Sequence, residues 1–153
     1  MSTEQLPYKL TNIPGKGQGL LATRKLHLGT IIVTEKPLIV VDTVRAAKDV
    51  IPMFNSMSED KKTAVLSLYD PGEDLNMKAS FLTGDEQERK VLRIFEANSI
   101  HLCSHSEMNI NKSGLYQTIS KINHDCSPNV VWTWVKDDSK KSIKQVLLIC
   151  CQS

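Results

Sequence analysis

The sequence predicts an α+β chain: a β-rich framework of small twisted sheets carrying a helical insert. Three observations predict it. β-Branched, period-2 runs stand near both ends, as Ile31-Ile32-Val33-Thr34 and Val130-Val131-Trp132-Thr133-Trp134-Val135. Helix-start signatures lie between them, at Ser56-x-x-Glu59 and Thr83-x-x-Glu86. Each β block also holds a shaped loop, Pro14-Gly15-Lys16-Gly17-Gln18-Gly19 in the first and Asn123-His124-Asp125-Cys126-Ser127-Pro128-Asn129 in the second. The expected layout is one domain with an N-terminal β block at 1–42, a mainly helical insert at 43–113, and a loop and β hairpin at 114–153.

A chain of 153 residues is long enough to bury a core. Nineteen basic against seventeen acidic residues leave a formal net charge of +2, so the whole-chain charge indicates no direct nucleic-acid binding and no anionic membrane. No apolar run approaches the roughly 18 residues of a membrane span, and Met1-Ser2-Thr3-Glu4-Gln5 lacks a signal-peptide pattern. Four cysteines, none in a C-x-x-C pair, fit reduced thiols of an intracellular protein, nuclear or cytoplasmic.

Along the chain, Tyr8–Ile13 reads as a strand leading into the glycine loop. Glycines at three alternate positions allow positive φ and close approach to a ligand. Gly17-x-Gly19-x-x-Ala22, with Asp42 downstream, mimics a dinucleotide fingerprint. That fingerprint must open a helix, whereas this loop leads through Leu20-Leu21-Ala22-Thr23 to Gly29 and a β-branched run closed by Pro37. On local grounds a plain hairpin turn and a ligand loop fit equally. Leu38–Val41 is a further strand.

Within the insert, Ala64, Val65, Leu68 and Tyr69 share a helical face that Pro71-Gly72 ends. The second helix points Val91, Leu92, Phe95 and Leu102 inward, with Asp85–Arg89 and Glu86–Lys90 as exposed i, i+4 pairs. Asn98 suits either a helix C-cap or a ligand-facing amide. His101, Cys103 and His105 alternate, but on a strand i and i+4 lie about 13 Å apart, too far to share one zinc ion.

The loop after Tyr116 concentrates amide, imidazole, carboxylate and thiol beside Pro128, which fixes its own φ and pushes Ser127 out of the α region. Asn123, Asp125 and Asn129 bonding their own backbone is the plain alternative. Val130–Val135 is expected as a buried strand, Lys136–Ser142 as a solvated turn, and Ile143–Cys151 as the returning strand.

Asn123-His124-Asp125-Cys126-Ser127-Pro128-Asn129 resembles the N-H-S-C-x-P-N signature of SET-domain protein methyltransferases, with Asp125 in place of the usual serine. Gly15-Lys16-Gly17-Gln18-Gly19-Leu20-Leu21-Ala22-Thr23 is similar to the opening of the same family, and Gly114–Ile122 looks like its branch with a helical insert, as in the SET-and-MYND proteins. The resemblance implies an S-adenosylmethionine-dependent protein-lysine methyltransferase domain acting on a lysine-bearing protein or peptide. It implies cofactor contacts at Lys16, Gly17, Gly19, Asn98, Ser120, Asn123 and His124. It further implies a catalytic tyrosine in a segment following the strand that ends near Cys151. The chain is therefore expected to be C-terminally incomplete and little active by itself. Cys126 corresponds to a zinc ligand only with a post-SET cysteine cluster outside this chain, and is otherwise expected as a free thiol. A non-catalytic SET-like module that binds a peptide or partner is the alternative.

Overall fold

In this computed structural model, residues 6–43, 46–72, 84–104, 107–137 and 142–149 are described. Every sheet pairing among them is antiparallel, in three small sheets, with helices confined to the middle of the chain. The chain divides into two compact units: residues 1–36 with 121–153, and residues 37–120.

The first unit opens with a hairpin of β1 (Tyr8–Ile13) and β2 (Gly17–Ala22), in register from Tyr8 opposite Ala22 to Ile13 opposite Gly17. Gly15 and Gly17 take φ of 72° and 69°, a conformation that side chains with a Cβ adopt at a cost. The glycine loop is thus a hairpin turn and opens no helix, which removes the dinucleotide alternative. The unit's second sheet runs β3-β8-β7, from β3 (Ile31–Glu35), β7 (Val130–Asp137) and β8 (Ser142–Ile149). A bulge between Ile31 and Val33 shifts the register of β3 on β8. Val131 and Trp132 are each 38% exposed, so β7 is not the wholly buried strand its apolar run suggested. Lys136, Asp137 and Ser142 of the expected turn belong to the strands instead, with Asp137 opposite Ser142. Residues 138–141, Cys150 and Cys151 lie outside the described residues.

The second unit contains the main hydrophobic core. Ile39 and Val41 of β4 (Ile39–Asp42) meet Ala46, Val50 and Phe54 of α1 (Ala46–Asn55), Val65 of α2 (Glu59–Leu66), and Val91, Leu92, Ile94 and Phe95 of α3 (Glu86–Asn98). Ala46, Val50 and Phe54 stand at i, i+4 and i+8, so one stripe of α1 is buried despite Pro52 within it. The α-helices end at Asn98. Where the expected mainly helical insert runs to 113, β5 (Ile100–Ser104) and β6 (Glu107–Leu115) form a hairpin instead, and β6 also pairs with β4. Leu102 is buried as expected, but from a strand.

The expected capping box of α2 does not form, and that of α3 lies at other residues. Ser56 donates its hydroxyl to the Met53 carbonyl, 2.8 Å, closing the end of α1, where carbonyls lack intrahelical partners. Ser58 occupies the N-cap position of α2 without a side-chain bond. Thr83 lies outside the described residues; the cap of α3 is Asp85, whose carboxylate accepts from Glu88 N at 2.9 Å while Glu88 accepts from Asp85 N. Asp85 is thereby committed to the cap, and Arg89 pairs with Glu86 at 3.0 Å, not at the expected i, i+4 spacing. Tyr69 is 69% exposed: α2 ends at Leu66, before that face can reach it.

Candidate functional site

The first unit's site is built on the glycine hairpin. Lys16 N–H donates to the Ile13 carbonyl at 3.0 Å and closes the turn. Beyond it Gly19 is buried although its φ is ordinary. A Cβ placed there would collide with the Ile13 side chain and lie 2.5 Å from Asn123 Nδ2. The glycine requirement at this position is therefore space for the Ile13 side chain and the Asn123 amide, not backbone conformation.

Asn123 reaches across from the loop before β7 and donates through Nδ2 to the Gln18 carbonyl at 3.2 Å. One hydrogen bond and one steric fit thus join the two motifs that stood apart in the sequence. The remainder of the loop is shaped locally. Asp125 Oδ1 accepts from Ser127 N at 2.9 Å, an Asx turn, so the plain reading of the loop holds for Asp125 and fails for Asn123. His124 Nε2 and Cys126 Sγ are 3.4 Å apart, and Cys126 is an exposed free cysteine. Among the described residues, no group of three or more His, Cys, Asp or Glu is arranged to hold a metal ion. His105 of the alternating trio lies outside them.

Lys16, Asn123 and His124 line a pocket of about 300 Å³. Tyr8, Ile13, Leu20, Ala22, Leu26, Ile32, Ile122 and Val130 give it an apolar wall, while Asp125 and Asn129 add polar edges. Apolar walls with a few convergent polar groups characterise small-molecule sites, and this volume is at the small end of their range. Sequence reasoning missed Tyr8 and Leu26. The signal for Tyr8 was present: in a hairpin turning at Gly15, it falls opposite the small Ala22.

Asn98 and Ser120 belong to the second unit and to each other. Asn98 Nδ2 donates to the Ile94 and Tyr69 carbonyls, both at 2.7 Å, which is a helix-end role. Ser120 Oγ donates to the Asn98 carbonyl at 2.9 Å and accepts from Tyr116 N at 3.0 Å. Both protons of the Asn98 amide and the Ser120 hydroxyl proton are thus engaged within the unit.

That unit also carries an unforeseen ion cluster. Arg93, only 8% exposed, holds both Asp70 oxygens, at 3.0 and 3.2 Å, and Glu86 Oε1 at 3.1 Å. Hydrogen bonding from Arg93 holds the Asp70 carboxyl below its ordinary range and does the same for Glu86, and the two carboxylates push the guanidinium upward.

The model of the SET domain family matches residues 17–151. Histone-lysine N-methyltransferase set5 of Schizosaccharomyces pombe is 31% identical over 127 residues, covering 83% of this chain and 34% of that protein. This chain therefore spans about a third of the length of the curated relative it matches. These similarities concern the family and do not extend to the SET-and-MYND branch.

Proposed function

The chain belongs to the SET-domain family, and from that premise we propose that it forms part of an S-adenosylmethionine-dependent protein-lysine methyltransferase. The observation that carries this reading is the latch of Asn123 onto Gln18 and Gly19 beside the pocket. It supports a shared role for the glycine hairpin and the Asn-His loop. The relative's name, a histone-lysine N-methyltransferase, supports a lysine-bearing protein as the substrate class.

The residues present suit the cofactor. The Asn123 amide, the His124 imidazole and the Lys16 ammonium line one pocket with an apolar wall, and Gly19 lets the Asn123 amide sit against β2. Lys16, Gly17, Gly19, Asn123 and His124 would hold it. When bound, S-adenosylmethionine supplies the reactive methyl on a sulfonium. Asn123, with Nδ2 on the Gln18 carbonyl, keeps its Oδ1 as an acceptor suited to an ammonium, and the bond fixes its orientation. A lysine amine of ordinary pKa about 10.4 must lose both hydration and a proton before it can attack, and an apolar wall favours both. Asn98 and Ser120 are proposed as supports that secure the end of α3, since their donors are already used there. Zinc at Cys126 is proposed only together with further cysteines from outside this chain.

Labelled methyl transfer to lysine peptides tests the activity in the longest available form of the protein. Turnover should vanish with Asn123→Ala, and calorimetry should show weakened S-adenosylmethionine binding. Transfer undiminished in that variant would remove Asn123 from the site.

A further inference from the structure

The near-neutral net charge conceals a division between the two units. Ten of the nineteen Lys and Arg, but five of the seventeen Asp and Glu, fall in residues 1–36 and 121–153. Nine and twelve remain in residues 37–120, so the units carry formal charges of +5 and −3, which recombine to the chain's +2. The ion pairs divide likewise. Those of Lys62, Arg89 and Arg93 all lie in the acidic unit. In the basic unit Lys9, Lys16, Arg24, Lys25 and Lys36 are exposed and Lys121 is half-buried, and none of the six makes an ion pair among the described residues.

From these cations we propose that the basic unit binds the phosphate backbone of a nucleic acid, with Lys9, Arg24 and Lys25 at the centre of the contact. Thr23 closes the base of the β1–β2 hairpin by donating its N–H to the Pro7 carbonyl at 3.0 Å and its hydroxyl to the Leu6 carbonyl at 3.1 Å, so Arg24 and Lys25 leave β2 at the end of the hairpin where Lys9 stands opposite Leu21. At about 3.4 Å per residue the ribbon runs roughly 20 Å from this base to Lys16 at its tip, about the length of six base pairs. Lysine predominates over arginine, and its ammonium is a point charge that suits phosphate, whereas recognition of carboxylates favours the planar fork of arginine. A dense, uniform line of phosphates also engages scattered cations without needing a fixed register. Lys9, Arg24 and Lys25 lie outside the residues that line the pocket, whereas Lys16 is shared with it.

Fluorescence anisotropy of a labelled 20-base-pair DNA duplex and of a single-stranded RNA, titrated with the chain between 50 and 200 mM salt, tests the proposal. Binding should be salt-sensitive and insensitive to base sequence, with a dissociation constant of about 10⁻⁶ to 10⁻⁴ M near physiological salt. Replacing Lys9, Arg24 and Lys25 together by Gln should weaken it at least about tenfold and lower the duplex salt slope by about 2.7. Lys61→Gln on α2 of the acidic unit should leave both unchanged. Circular dichroism melting checks the fold; should the triple variant unfold, each single substitution should still remove about 0.9 from the slope. No binding at 50 mM salt, a slope indifferent to these substitutions, or equal binding of polyglutamate at matched charge would overturn the proposal. The last result would assign the face to acidic proteins.

Discussion

Gly15 and Gly19 stand four residues apart in one hairpin, one in its turn and one in β2, and each is needed for a different reason. Gly15 has φ of 72° and open space where a Cβ would point. Gly15→Ala should therefore cost only the left-handed backbone penalty, about 1–2 kcal/mol, and leave cofactor binding intact. Gly19→Ala forces a methyl against Ile13 and the Asn123 amide inside the first unit. Overpacking of this kind costs about 1–3 kcal/mol, and relieving it displaces the amide from Gln18. Denaturant unfolding paired with calorimetry should show two destabilised variants, of which Gly19→Ala alone loses S-adenosylmethionine affinity. Equal affinity in both would mean that the latch does not orient the site. The need for a glycine was visible in the sequence. Its reason at position 19 was not, because the partner is more than a hundred residues away.

At the scale of elements, helix α3 shows where local pattern reading stops. Its apolar row and a capping box were legible, but the box sits at Asp85 and Glu88, two residues beyond the one first matched, because Asp caps as well as Thr. Residues 91–95 are all buried, so Arg93 is enclosed among apolar neighbours, and only the fold brings Asp70 to it. The β5–β6 hairpin was hidden for a related reason: Asn109, Asn111, Lys112 and Ser113 make a polar strand whose place is set by pairing with β4, not by its own propensity. The Arg93 cluster gives a pH prediction. Asp70 titrates below its ordinary range because Arg93 bonds it. A depressed carboxyl contributes stability above its unfolded pKa of about 4, and that stability is lost as pH falls through the folded value. Wild-type stability should thus decline below about pH 4, and Asp70→Asn should flatten the decline while lowering stability at neutral pH, where it leaves Arg93 with fewer partners. Melting curves from pH 3 to 7 provide the check. Parallel profiles for the two proteins would show that the pair does not contribute.

At the scale of the whole chain, the order in which the units form follows from their connectivity. Residues 37–120 are continuous; their core joins α1, α2, α3 and β4, and the β5–β6 hairpin is local, while β4 pairs with β6 across 70 or more residues. The first unit is assembled from two separated segments, and β3 pairs with β8 across about 110 residues, as Thr34 opposite Val146. Closing a loop of that length costs about 2 kcal/mol more than closing one of ten residues, before any pairing compensates. The Asn123–Gln18 latch spans a similar separation, so it requires a closure of comparable cost. Contacts remote in sequence also slow folding more than local ones. Pulse-labelled hydrogen exchange during refolding should therefore protect amides of α3 and the β5–β6 hairpin before those of β3 and β8. The β7–β8 hairpin is local and can form early, so the informative probes are the β3 amides and Gly19. Protection of β3 at the same time as α3 would mean that the two segments of the first unit meet before the intervening core forms, reversing the proposed order.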